Sequence, residues 1–285
     1  MKPILFDLPL PFGLHLAPPA YGTFLVLGML AAAWAAGRHG ATLGLGRWDA
    51  FDLGLWLLAG GVFGAHLLHL AVEPQAYAGD GAGSVLARAT DLSRGGLAYY
   101  GGLAAAFPVL WLWGRRRGLP YLDLLDVVAP LGALGLAVTR MGCFLNGCCF
   151  GAPTSLPWGV VFPPGSLAHR QQVAAGLIAP GAEALPVHPV QLYELIVALA
   201  IFAVLQARIP RRRWAGEIVV AFGLLYGGWR LVAETMRADG PRWRPGAFQA
   251  TPYQWLSLLL LVATAIAWWT LQRARREPRR AGRIE

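Results

Sequence analysis

Seven apolar runs constrain this chain more than any other feature, each about as long as a helix must be to cross a hydrocarbon core of roughly 30 Å. They extend over Tyr21 to Ala36, Phe51 to Val72, Leu97 to Gly114, Leu122 to Thr139, Pro189 to Ala207, Glu217 to Thr235 and Pro252 to Leu271. Charged residues are correspondingly scarce, 14% of 285, against about a quarter in soluble domains. The expected fold is all-α, a polytopic integral membrane protein with seven transmembrane helices. No soluble domain, internal repeat or low-complexity linker divides residues 1–285, which read as one membrane-embedded domain.

The cations between these runs are unevenly placed. Arg38 and Arg47 follow the first run, Arg115 to Arg117 the third, Arg208 and Arg211 to Arg213 the fifth. Arg273, Arg275, Arg276, Arg279, Arg280 and Arg283 follow the seventh, so 15 of the 24 basic residues share one side if the runs alternate. By the positive-inside rule that side is cytoplasmic, which puts the N-terminus outside and the C-terminus in the cytoplasm. The same placement argues against nucleic acid as a partner. The net charge of +9 sits in short arginine clusters, with no basic face interleaved with an accessible aromatic platform. Met1 to Pro19 lacks a small-residue cleavage site after a compact apolar core and reads as an outward segment that stays on the protein.

The unusual chemistry collects in the outward segments. Arg140-Met141-Gly142-Cys143-Phe144-Leu145-Asn146-Gly147-Cys148-Cys149-Phe150-Gly151 begins where the fourth run ends and packs an arginine, three glycines, an amide and all three cysteines into twelve residues. Polar groups at such a boundary are costly and mark a functional site. Arg94-Gly95-Gly96-Leu97-Ala98-Tyr99-Tyr100-Gly101-Gly102 presents two phenols between glycine pairs, a pattern that also suits an aromatic belt and close helix packing. In His188-Pro189-Val190-Gln191-Leu192-Tyr193-Glu194, Pro189 suits a first helical turn, and His188, Gln191 and Glu194 recur one turn apart. Arg230 and Glu234, four apart, can neutralise one another. Alternatively Arg140 and Arg230, reaching the outer leaflet from different helices, can clamp one anion, because guanidinium groups are planar bidentate donors matched to phosphate.

Together these motifs resemble the prolipoprotein diacylglyceryl transferase family. The resemblance covers nearly the whole chain: Tyr21-Gly22, Gly95-Gly96-Leu97 with Tyr100-Gly101-Gly102, Arg140 to Gly151, Pro157-Trp158 with Phe162-Pro163, His188 to Glu194, and Arg230 with Glu234. It implies seven helices, an outward N-terminus, and transfer of diacylglycerol from phosphatidylglycerol to the lipobox cysteine of preprolipoproteins. Arg140, Arg230 and Tyr100 are then the catalytic residues. Arg140, Tyr21, Asn146, Gly151, His188, Gln191, Tyr193, Glu194 and Glu234 bind or orient the substrate. The family signature reads approximately Gly-Arg-x-Gly-Asn-Phe-x-Asn-Gly-Glu, whereas here Thr139, Cys143 and Cys148 replace its first glycine, its first asparagine and its glutamate. Tyr100 stands where the family commonly has histidine. A phenol with an ordinary pKa near 10 is a poorer base than imidazole, so Tyr100 is expected to donate a hydrogen bond or relay a proton.

Two other function classes fit parts of the chain. Cys143, Cys148 and Cys149 could make a membrane thiol oxidoreductase or hold a metal, but there is no Cys-x-x-Cys pair and no second cluster. Asp52, His66, His69, Glu194 and Arg230 could line the path of a small-solute transporter, but the charges bunch toward the outer face and no inverted repeat appears. The transferase reading asks for no metal, no nucleotide and no other cofactor. Its partners are phosphatidylglycerol, a preprolipoprotein lipobox segment and the bilayer. It places the protein in the bacterial inner membrane with the site toward the outer leaflet, and it leaves the oligomeric state open, a monomer being favoured. A reporter active only outside the cytoplasm is expected to score after Glu73 to Gly96 and after Arg237 to Ala250 and to be silent after Arg211 to Arg213; the reverse pattern overturns this topology.

Overall fold

A computed structural model describes residues 4–9, 15–39, 43–77, 97–238 and 250–276. Gly95 and Gly96, most of the loop between the second and third runs, and the terminal arginines Arg279, Arg280 and Arg283 lie outside the described residues.

All seven apolar runs are helical. They form α1 (Ala20–His39), α2 (Arg47–Val72), α3 (Tyr99–Arg116), α4 (Tyr121–Asn146), α6 (Val190–Arg208), α7 (Glu217–Met236) and α8 (Pro252–Arg276), and a short α5 (Leu167–Ala174) interrupts the long loop between α4 and α6. The strands among the described residues are two two-residue pieces, Leu8–Pro9 and His15–Leu16, paired antiparallel. Five helices, α2, α4, α6, α7 and α8, are long and apolar enough to cross a membrane, and α1 carries a shorter apolar stretch from Ala20 to Ala36.

Burial runs opposite to that of a water-soluble domain. Trp34, Phe63, Ile196, Leu259 and Trp269 are all more than half exposed on helix surfaces. Arg140, Gln191, Glu194, Arg230 and Glu234 are buried. Large apolar side chains turned outward over several helices need an apolar solvent, and charges turned inward need one another.

The bundle is arranged around α4, which packs against α1, α3, α6 and α7. Its pair partners include α2 with α3 and α7 with α8. Without water to drive association, such helices depend on close backbone approach at small residues. At the α2–α3 crossing, a Cβ on Gly101 would lie 2.1 Å from the Gly64 carbonyl oxygen. Any side chain at Gly101 therefore forces the two helices apart.

One end of the bundle is tied by arginines and acids. Asp126, 2% exposed on α4, accepts hydrogen bonds from the Gly216 N–H at 2.7 Å and from the Ile218 and Val219 N–H groups at 2.9 Å. The first turn of α7 is thus capped by a neighbouring helix rather than by its own side chain. Arg212 adds ion pairs to Asp123 and Asp126, Arg208 pairs with Glu217 at 2.8 Å, and Arg117 with Asp52 at 2.8 Å. Arg115 to Arg117 and Arg208 to Arg213 all belong to this end, where α3 and α6 finish.

Replacing Asp126 by alanine leaves two buried N–H groups and a part-buried one without their acceptor, a loss of about 3 kcal/mol or more. The expected result is an earlier thermal unfolding transition in detergent, partly restored in Asp126→Asn, which keeps a carbonyl acceptor.

Candidate active site

At the other end of the bundle, α4 runs past the expected boundary at Thr139 and continues to Asn146. Arg140 is therefore an interior helical residue, 6% exposed, rather than a group at the mouth of the helix. The helix stops at Gly147, whose left-handed φ of 75° lets its N–H return to the Cys143 carbonyl at 3.0 Å. The Cys148 N–H reaches the same carbonyl at 3.2 Å.

Three helices then bring four charges into one line. Arg140 Nε lies 2.6 Å from Glu194 Oε2, an ion contact without hydrogen-bond alignment. The other Glu194 oxygen accepts from Arg230 Nη1 at 3.1 Å, and Arg230 Nη2 lies 2.8 Å from Glu234 Oε2. Thr251, just before α8, donates to the second Glu234 oxygen at 3.0 Å. The side chains of Glu194 and Glu234 are 1% exposed and those of both arginines below 10%. Two cations and two anions cancel, which is what allows them to be buried together. The expected pair Arg230–Glu234 is present, and Arg140 and Arg230 both contact the carboxylate of Glu194.

The backbone around this chain is fixed by a crossing of three segments at Gly151. Its N–H donates to the His188 carbonyl at 2.9 Å, the Ala152 N–H to the Met236 carbonyl at 2.7 Å, and Gly151 bridges to Arg237. A Cβ on Gly151 would fall 2.6 Å from the His188 Cβ and 2.8 Å from two carbonyl oxygens, so only glycine fits. Gln191, fully buried, donates to the Cys148 carbonyl at 2.7 Å. Gly151 and Gln191 thus act on the framework that holds α4, α6 and α7 in register. His188 and Tyr193 stand to one side: the Tyr193 hydroxyl accepts from Trp158 Nε1 at 2.8 Å and lies 3.4 Å from His188 Nδ1. The segment carrying Trp158 and α5 folds over its own apolar cluster of Phe150, Phe162, Ala168 and Val187.

Tyr100 is buried between α3 and α8, its hydroxyl 2.5 Å from Ser257 Oγ, which in turn donates to the Tyr253 carbonyl at 2.7 Å. With the serine proton committed to that carbonyl, the Tyr100 hydroxyl is the donor of the pair. The backbone of Tyr21 on α1 abuts Gly142, and its phenol is within electrostatic reach of Arg140 and the three cysteines. Asn146, the last residue of α4, lies close to the Cys148 thiol, which donates to the Cys143 carbonyl at 3.7 Å.

Tyr226 was not singled out by its sequence. It is 1% exposed, lies within electrostatic reach of Tyr99, Arg230 and Glu194, and its hydroxyl has no hydrogen-bond partner among the described residues. The available signal was its spacing, one turn before Arg230. Of the residues a transport path would use, Asp52 is held by Trp113 Nε1 and Arg117 at one end of α2, while His66 and His69 pack edge-on against Tyr77 at the other.

The three cysteines are free thiols, Cys143 buried and the others half-buried, with their Sγ atoms all within 4.8 Å of one another. Cys149 is held well below the ordinary thiol range by hydrogen bonds from the Cys143 and Cys148 thiols, with the charges of Arg237 and Arg140 acting in the same direction.

Comparison with known proteins agrees with the motifs. The family model described as prolipoprotein diacylglyceryl transferase matches residues 3–270. Three relatives carry the name phosphatidylglycerol–prolipoprotein diacylglyceryl transferase. That of Nitratidesulfovibrio vulgaris (strain DSM 19637 / Miyazaki F) is 30% identical over 262 residues, covering 90% of this chain and 89% of its own. That of Solidesulfovibrio magneticus is 32% identical over 266 residues, covering 90% of each. That of Cupriavidus pinatubonensis is 30% identical over 282 residues, covering 93% of each.

Glu194 is the one anion shared by both arginines. Glu194→Ala leaves two buried guanidinium groups short of a partner and is expected to cost about 3–5 kcal/mol, read as lost thermal stability in detergent. Glu194→Gln keeps the shape and one acceptor and loses less; a parental melting curve for Glu194→Ala contradicts the bridging role.

Proposed function

The chain belongs to the prolipoprotein diacylglyceryl transferase family, and on that footing we propose that it transfers the diacylglyceryl group of phosphatidylglycerol to the cysteine thiol of a preprolipoprotein lipobox. This is the first step of bacterial lipoprotein maturation. The observation that carries the reading at the level of residues is the convergence of Arg140 and Arg230, from two helices, on one anionic group between them. Each guanidinium has five N–H donors, and the contacts to Glu194, Glu234 and Cys143 occupy only part of each set.

In the proposed reaction the acceptor thiolate attacks the glyceryl carbon that bears the phosphate. A C–S bond forms, the C–O bond breaks, and its electron pair leaves with glycerol phosphate, which takes up the proton given up by the thiol. Negative charge grows on the departing phosphate, and fixed N–H donors in a site shielded from water stabilise that growth. Glu194 and Glu234 hold the two guanidinium groups in place beforehand, so little reorganisation is needed when the charge develops. Tyr100 and Tyr226 are phenol donors on the same side as Arg230. Tyr226 supplies the unsatisfied O–H, and Tyr100, on release from Ser257, a second O–H donor to the departing phosphate. Tyr21 and Asn146 orient the head group beside Arg140. Gly151 and Gln191 keep the framework, while His188 and Tyr193 with Trp158 line the approach of the acceptor segment.

The same reading gives seven spans, an outward N-terminus and a site toward the outer leaflet of the inner membrane. The arginine clusters support it, because they share the end of the bundle opposite to the four buried charges.

Expression in cells depleted of their own transferase tests the activity, with rescue as the expected result and no rescue by a stably inserted protein as the contrary one. In purified protein with saturating phosphatidylglycerol, Arg140→Ala is expected to lower turnover by on the order of 10² or more. Arg140→Lys keeps the charge, loses the planar fork and recovers only part of the rate. Parental turnover in Arg140→Ala removes Arg140 from the reaction.

A further inference from the structure

All three cysteines of the chain fall within seven residues, and the fold turns all three sulfurs toward one point. Their mutual separations, within 4.8 Å, are close to what a common metal ligand requires: thiolates held at about 2.3 Å from one Zn²⁺ lie roughly 3.8 Å apart. The backbone is shaped to this end. Gly147 ends α4 in the left-handed region, and Cys149, at φ 62°, is the one non-glycine residue with positive φ among those described. A bulky residue takes that conformation only where its surroundings impose it, and such outliers concentrate at functional sites. Here Gln191 holds the Cys148 carbonyl, and the Gly151 crossing holds the far side of the turn. Charge fits as well. Three thiolates and one divalent ion leave a single negative charge, less than the thiolates alone would carry, and the site lies beside a guanidinium, Arg140 Nη1 being 3.7 Å from Cys143 Sγ.

We propose that Cys143, Cys148 and Cys149 are three thiolate ligands of a Zn²⁺ ion whose fourth position takes the acceptor thiol. Three cysteine sulfurs select a thiophilic d¹⁰ ion over Mg²⁺ or Ca²⁺, and a three-ligand site keeps one position open for an exchangeable ligand. The second half of the proposal rests on the transferase reading. A thiol entering the fourth position gives up its proton, which passes through solvent to the departing glycerol phosphate, and is held as a metal thiolate beside the arginine assigned to the lipid phosphate. The C–S bond then forms as the C–O bond to phosphate breaks, and the product thioether, a weaker ligand than a thiolate, leaves. This supplies a deprotonated nucleophile in a site where Tyr100, already donating to Ser257, is not a base. The ion also goes beyond the sequence-based expectation of no metal.

The test uses the full chain in nanodiscs, reduced, stripped with a chelator and titrated with Co²⁺ as a spectroscopic stand-in for Zn²⁺. The expected result is one ion per chain with thiolate charge-transfer absorption and tetrahedral d–d bands. Both are lost in Cys148→Ser with Cys149→Ser, two half-exposed positions whose replacement preserves helical content. A lipobox peptide with its cysteine, and not the serine version, is expected to raise the charge-transfer intensity by about a third, from three thiolates to four. No tetrahedral spectrum, a spectrum unchanged in the double serine variant, or a disulfide that excludes the ion overturns the site. A bound ion that ignores the peptide, or parental transfer by stripped protein, overturns the fourth-ligand role while leaving the transferase reading intact. Absence of transfer with ion and peptide both bound overturns the transferase reading and leaves the metal site standing.

Discussion

The structure depends on keeping four charges buried in an apolar bundle. Isolated, Arg140, Glu194, Arg230 and Glu234 would each incur a desolvation penalty of several kcal/mol, and their attraction offsets this only when geometry is good and the remaining polar atoms are satisfied. Glu194 offsets its burial with one oxygen accepting from Arg230 on α7 and the other in ion contact with Arg140 on α4. Glu234 meets it with Arg230 on one oxygen and Thr251 on the other. Everything at this end follows from the need to bring α4, α6, α7 and the start of α8 to one point, which is why the Gly151 crossing tolerates no side chain.

The sequence disclosed the elements well and their convergence poorly. Seven apolar runs and their arginine clusters are local properties, so the helices could be placed to within a few residues. The main error, ending the fourth run at Thr139, arose because Arg140 looks like a terminus when its partner is unknown; the helix continues because Glu194 neutralises it. Spacing revealed the Arg230–Glu234 pair, an i,i+4 relation. It could not reveal that Tyr100 meets Ser257 across 157 residues of chain, or that Gln191 would hold the carbonyl of Cys148. Tyr226 was passed over because a tyrosine in an apolar helix reads as packing until its hydroxyl is found buried without a partner.

The departures from the family signature now have physical positions. Cys143 and Cys148 fall in one thiol cluster with Cys149, and the Tyr100 hydroxyl is tied to Ser257 rather than directed at Arg140. Where the resembled family signature has a carboxylate, an amide and an imidazole, this chain has sulfur and phenol around Arg140 and Arg230. On the proposed reading, binding and stabilisation of phosphate remain with Arg140 and Arg230, while generation of the thiolate is where the chemistry has shifted.

The central claim is that Arg140 and Arg230 act as one unit on one phosphate, aligned by Glu194. A double-mutant cycle on turnover measures this directly, with Arg140→Lys, Arg230→Lys and the double variant assayed in bilayers at saturating phosphatidylglycerol. Groups that act together are strongly non-additive, so the double variant is predicted to be about as slow as the slower single variant. Rate losses that simply multiply would show two independent contributions, and would contradict the account.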